Sequence, residues 1–292
     1  MRWHTFPNET SASARGAGQP VPRIGTRPMS VSVADGAETY FVLDVHQHIP
    51  IEEDAFERDR IQRVAFMDRF GIDQACVSPP VLPPRSVSTA ELNMRVNAYA
   101  RALPDRFPFA LGTIDIRGGE AELRELESFQ SLGLRGVVWH HMFQGAFLDH
   151  PQMTLALEYC RRTGLAAFVH VIAGSLQESL WRLARLCEDF PEVSFVAMDA
   201  LSSPHQADWA IEVGRRFPNL FADTGVLASY GNAVERFTAA VGPTRLLLGT
   251  DFDTSPKAFS FPYAVFEVVH STLSAQAKQD VLAGNARRLL GS

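Results

Sequence analysis

The sequence predicts one α/β domain, a closed (β/α)8 barrel of the TIM type preceded by a flexible N-terminal arm. Three observations carry that expectation. From residue 38 onward, eight short β-rich runs alternate with helical patterns. Several runs, LAAFV and RLLLG among them, are almost continuously apolar, as parallel strands buried on both faces are. No Gly-rich phosphate loop follows any run, which disfavours a doubly wound open sheet; Ile116-Arg117-Gly118-Gly119 is too short a signal.

Taken in order, strands are expected near Phe41–Ile49, Gln74–Pro79, Phe107–Asp115, Leu134–His140, Leu165–Val171, Val193–Ala200, Leu220–Val226 and Arg245–Phe252. Helices are expected between them, as over Ala90–Ala102, Gly119–Ser131, Thr154–Thr163 and Gln177–Asp189, where apolar residues recur at three and four spacing. A chain of 292 residues has room for two average domains, yet one barrel of this kind takes about 250 residues. The domain is therefore placed at 38–292. Residues 1–37 carry four Pro, four Gly and four Ser, too little apolar surface to offset the entropy of ordering, and read as a dispensable leader or as an arm over a neighbouring subunit.

Composition narrows the function classes. With 46% hydrophobic and 21% charged residues and no apolar run near the ~20 residues a membrane span needs, a membrane protein is not expected. The opening residues lack the apolar stretch of a secretory signal, and Cys76, Cys160 and Cys187 have no motif spacing, so a cytoplasmic protein is expected. A net charge of −6 without a basic block argues against nucleic acid and for a small-molecule substrate. Only Lys257 and Lys278 are lysines, and neither sits at an expected strand end, which leaves no candidate for Schiff-base or carbamylated-lysine chemistry.

The chemistry concentrates at strand ends. Asp44-Val45-His46-Gln47-His48 closes the first strand, and alternation points His46 and His48 the same way with Cα atoms about 6 to 7 Å apart. An isolated HxH fits two solvated histidines as well as a metal site. His170 closes the fifth strand, however, and Asp251 the eighth. In a barrel the C-terminal strand ends share one rim, so three imidazoles and a carboxylate can meet around a divalent cation. Zinc is the leading expectation, with iron or manganese as alternatives and a second ion possible.

These motifs, with GIDQACVSP, ELNMRVNAYARALPDRF, GLRGVVWHH, GLAAFVH, RLLLGTDFD and GNARRLLG in order, resemble the amidohydrolase superfamily over about residues 40–292. The similar branch is amidohydrolase-2, which holds metal-dependent hydrolases together with aminocarboxymuconate semialdehyde and resorcylate decarboxylases. The resemblance implies metal ligation by His46, His48, His170 and Asp251, a scaffold role for Asn93 and Asn285, and the habit of forming homodimers. Two departures stand out. Met198 occupies the sixth-strand position where relatives carry a histidine used in acid/base work, and Val138 stands where binuclear relatives carry a bridging lysine.

The resulting expectation is a metal-dependent hydrolase of an ester, lactone, thioester or amide, with water activated at the ion. Asp251 would take the proton, and His140, Asp199 or Asp253 would serve the leaving group. Trp139, His141, Met198, Phe252 and Asp253 are the candidates for substrate contact, with Phe143 and Phe147 nearby. The alternatives are a non-oxidative decarboxylase of an aromatic or dienoic acid and a catalytically inactive metal-binding barrel. An arginine turned toward the rim would favour the decarboxylase.

Overall fold

The structure, a computed structural model, describes residues 31–32, 38–80, 87–227, 232–254 and 257–291. Eight parallel strands form the barrel: β1 Leu43–His48, β2 Gln74–Ser78, β3 Phe109–Ala110, β4 Gly136–Trp139, β5 Ala166–His170, β6 Phe195–Met198, β7 Leu220–Asp223 and β8 Leu246–Leu247. They pair in chain order as two arcs, β1 to β3 and β4 to β8. The parallel bridges Gly112↔Val137 and Gln47↔Phe252 join the arcs into a closed ring. Helices follow the strands: α1 Phe56–Phe70, α2 Thr89–Arg101, α3 Glu120–Glu125, α4 Pro151–Thr163, α5 Leu180–Asp189, α6 Pro204–Arg216, α7 Ala233–Val241 and α8 Tyr263–His270.

All eight strands are shorter than expected, β3 and β8 most of all, and for these two the reasons are local. Past β3 the chain reaches β4 through Gly112, whose amide donates to Gly136 and whose carbonyl accepts from Val138. A Cβ on Gly112 would stand 2.6 Å from the Phe129 ring and 2.7 Å from Leu134, so only glycine permits that approach. Past β8 the backbone turns through Asp251 at φ +55°, a conformation that costs a non-glycine residue about 1 to 3 kcal/mol. The amide of Asp251 is held on the His46 carbonyl at 2.9 Å.

Alternation sorts the side chains into two layers. Leu43, Val45, Cys76, Leu111, Val138, Phe168, Val196, Met198 and Leu247 fill the barrel interior, with Ala283, Ala286 and Leu290 of the C-terminal helical run packed against them. Trp139, next to Val138, faces the other way into the cluster between strands and helices and is fully buried there. Phe252 is likewise packing: its ring stacks on Phe66 of α1 at 3.8 Å and 9°. Of the expected arm only residues 31–32 lie within the described residues, and Val31–Ser32 pairs antiparallel with Thr39–Tyr40. No helix among the described residues is long and apolar enough to cross a membrane.

One buried arginine ties the ends of β1 and β8 together. Arg63 of α1 donates to the carbonyls of His48 (2.7 Å) and Phe252 (3.2 Å), to the Gln47 side chain (3.1 Å) and to both oxygens of Asp59 (3.0 Å). Asp44 braces the same seam from the other side, accepting from the His46 and Thr250 amides at 3.0 Å and the Thr250 hydroxyl at 2.5 Å. Replacing Arg63 leaves Asp59 and two strand-end carbonyls buried without their cation. Arg63→Ala is therefore expected to lower stability by about 3 to 5 kcal/mol, measured by urea denaturation; a change under about 1 kcal/mol would show that the seam closes without it.

Candidate metal centre

The site begins with an irregularity in β1. The β1/β2 register runs from Asp44↔Ala75 to Gln47↔Val77, three steps on β1 against two on β2, so one extra residue is accommodated between them. A bulge of this kind re-aims the side chains around it. Here Val45 stays in the interior packing while His46, like His48, reaches the rim, where the two rings meet edge to face with centroids 5.1 Å apart.

Each of the three rim histidines is held by its Nδ1. His46 Nδ1 lies 2.7 Å from Asp223 Oδ2, His48 Nδ1 2.7 Å from the Pro79 carbonyl, and His170 Nδ1 2.9 Å from the Trp139 carbonyl. A carbonyl only accepts, so His48 and His170 carry their protons on Nδ1, and the carboxylate of Asp223 imposes the same tautomer on His46. Every Nε2 is thereby turned toward a common point. Nε2 of His46 and of His48 are 3.1 Å apart, Asp251 Oδ1 is 3.2 and 3.5 Å from them, and Nε2 of His170 is buried without a partner. Two Nε2 atoms at that distance are bridged by a proton or, in its place, by a cation. The three rings form a compact group of nitrogen donors, and Asp251 adds an oxygen beside two of them; such a set suits a divalent transition metal.

The electrostatics agree with this arrangement. Burial lowers the pKa of His48 to about 4 and that of His170 well below its usual value, so both present lone pairs at neutral pH. Burial also opposes charge on His46, but Asp223, Asp251 and Asp199 outweigh it and raise its pKa well above the usual value. Burial would raise Asp251, yet the neighbouring imidazoles hold it below the usual carboxylate range. A field that draws a proton onto His46 draws a cation equally. The second grouping, His46 with Asp199 and Asp223, works differently: it surrounds the Nδ1 that already faces Asp223, so it orients His46 and does not offer a second ion its own imidazole.

Two glycines make room for that orienting pair. A Cβ on Gly225 would stand 2.5 Å from His46 Nδ1, and one on Gly249 2.8 Å from Asp223 Oδ2. Asp199 adopts φ +61°, donates its amide to Asp223 Oδ1 at 2.8 Å and leaves its own Oδ1 buried without a partner, 3.8 Å from His46 Nδ1. Burial pushes its carboxyl well above the usual range. It stands behind His46, on the side away from Nε2.

Beside the histidines, a narrow cleft of about 20 Å³, on the scale of one water molecule, is bordered by His48, His170, His140, Val138, Pro79 and Pro80. His140 stacks on His170 at 4.3 Å and 13°, and its Nδ1 lies 3.0 Å from Glu178 Oε2, a fully buried carboxylate. The remaining sequence candidates fall elsewhere. Met198 is level with His170 on the adjacent strand but is wholly enclosed in the interior packing. His141 is buried behind the cleft, with burial pushing its pKa to about 3 and neither ring nitrogen partnered. Asp253 sits on the short pairing of Asp253–Thr254 with Lys257–Ala258 and does not border the cleft. None of these three, nor Trp139 or Phe252, borders the cleft. Asp223 and Glu178 were not expected. Asp223 ends the observed strand Leu220–Asp223 but lies inside the longer strand expected at Leu220–Val226, so the strand-end rule passes over it; Glu178 lies in a loop with no pattern around it.

A closed barrel with three imidazoles and a carboxylate on its C-terminal rim defines a metal-dependent (β/α)8 protein. The family model described as "Amidohydrolase" matches residues 43–292, and the chain belongs to the amidohydrolase family. No curated protein matches the chain in sequence. Among solved structures it is similar to 5-carboxyvanillate decarboxylase LigW from Sphingomonas paucimobilis, at 18% identity over 86% of this chain and 99% of that one, with a TM-score of 0.67. The 5-carboxyvanillate decarboxylase of Novosphingobium aromaticivorans, complexed with manganese and 4-hydroxy-3-methoxy-5-nitrobenzoic acid, matches at 16% over 92% and 100%, TM-score 0.68. Amidohydrolase 2 from Bifidobacterium longum subsp. infantis matches at 13% over 87% and 99%, TM-score 0.59. At such identities the likeness establishes the shared barrel.

Asp223 offers a test of the orienting bond, because asparagine keeps its shape and loses its charge. Asp223→Asn is expected to weaken metal binding about 10- to 100-fold, read by competition with a chromophoric chelator; affinity within twofold of the unaltered protein would remove Asp223 from the account.

Proposed function

We propose that the protein is a metal-dependent non-oxidative decarboxylase of a small planar unsaturated acid, aromatic or dienoic. The observation that carries this reading is the His140–Glu178 pair beside the three-histidine cluster. Decarboxylation needs a proton delivered to carbon, and the sixth strand, with Met198, has no group that can deliver one. The fourth strand supplies it. Glu178 fixes Nδ1 of His140 at 3.0 Å, which leaves Nε2 as the atom that exchanges a proton at the cleft.

His46, His48, His170 and Asp251 would hold a divalent ion, zinc or manganese, which would supply positive charge beside the cleft. The chain does the rest. Val138, Pro79 and Pro80 border the narrow cleft with apolar walls, which would have to open for a flat carbon skeleton to lie against them. As the carbon–carbon bond to the carboxylate breaks, its electron pair stays on the skeleton and takes the Nε2 proton of His140. Neutral CO2 leaves, and His140 regains a proton from solvent. The solved decarboxylases of the same barrel, one of them holding manganese, support this reaction class over hydrolysis.

The hydrolase reading retains one supporting observation: none of the described residues bordering the cleft is an arginine or lysine, so a carboxylate there relies on the ion alone. Turnover separates the two. Metal-loaded protein incubated in D2O with hydroxybenzoic and dienoic acids is expected to release CO2 and leave one deuterium at the vacated carbon. His140→Gln should reduce the rate about 10²- to 10⁴-fold with metal content retained. Hydrolysis of esters or lactones without CO2 release from any acid would overturn the proposal.

A further inference from the structure

We propose that the groove between α1 and the chain following β8 binds an aromatic carboxylate, at a site separate from the metal centre. The groove is about 450 Å³ and shares no residue with the cleft at the histidines. Its apolar side is built from rings. Phe66 lies flat on Phe252, while Phe70 stands edge-on to the exposed Phe261 with centroids 5.6 Å apart. A planar, apolar ligand finds there the borders of the buried Phe66–Phe252 pair and the half-buried ring of Phe70, which an aliphatic one would use less well.

The polar side is cationic. Arg69 and Lys257 border the groove, no acidic residue does among those described, and neither cation pairs with a carboxylate among the described residues. The contrast with nearby arginines is direct: Arg63 is matched by Asp59 and Arg106 by Asp68. In a chain of net charge −6 with two lysines in all, two unmatched cations over an aromatic floor form a local field of the opposite sign. Arg69 projects from the same helix as Phe66 and Phe70, with its guanidinium 5.1 Å from the Phe70 ring centre, so charge and stacking surface are offered together. Gln62, Thr254 and Ser260 add neutral hydrogen-bonding groups. A planar anion satisfies both halves, and a carboxylate matches the fork of an arginine.

The test uses metal-loaded protein and 1-naphthoate as the probe, followed by calorimetric titration. Affinity is expected to fall at least tenfold in the double variant Arg69→Gln/Lys257→Gln, with unchanged circular dichroism, and to stay within twofold in His48→Ala. Phe70→Ala alone should weaken it several-fold. Loss of binding in His48→Ala with the double variant unaffected would place the ligand at the metal centre and overturn the proposal. Equal affinity for neutral 2-naphthol, equal affinity for inorganic phosphate, or no saturable binding of naphthoate would overturn it as well.

Discussion

Everything at the rim depends on where three protons sit. The Nδ1–H groups of His46, His48 and His170 each face a fixed acceptor, two of them backbone carbonyls of neighbouring strand ends and one the buried carboxylate of Asp223. A carbonyl at the end of a parallel strand cannot move without the strand, so the barrel itself sets the tautomer and the ring direction. The free Nε2 atoms then converge because the strands that carry the rings do. The site is preorganised by hydrogen bonds on its far side, and the metal ligands follow from them.

Closure of the ring brings the Asp251 carboxylate to the three histidines. Asp251 belongs to the last strand end and His46 to the first, and they meet only because β1 and β8 are bridged. Asp44 and Arg63 grip that seam from opposite sides. The left-handed backbone at Asp251 is the cost of turning its carboxylate inward, and the hydrogen bond from its amide to His46 holds the turn in place. The orienting acids show a similar economy: Gly225 and Gly249 leave space that any side chain would occupy, so Asp223 can reach His46.

The barrel was legible because buried parallel strands are written as apolar runs and their helices as three-and-four spacing. Strand-end logic also found His46, His48, His170 and Asp251 without knowing how the chain closes. It reached less far for groups that act through others. Asp223 ends an apolar run as Asp251 does, but a search for ligand-like spacing passes over an acid whose work is to hold a histidine. Glu178 comes from a loop, where no periodicity reports direction. Trp139 and Phe252 show the opposite error: both adjoin site residues in sequence, yet alternation sends Trp139 to the outer layer, and Phe252 packs on α1. The bulge in β1 broke simple alternation at the motif that suggested it.

The account rests on three imidazoles sharing one ion with a carboxylate, which X-ray absorption spectroscopy of the metal-loaded protein tests directly. One ion per chain with a first shell of three imidazole nitrogens and carboxylate oxygen at about 2.0 to 2.2 Å is the expected result. A sulfur scatterer, or fewer than two imidazoles, would contradict it.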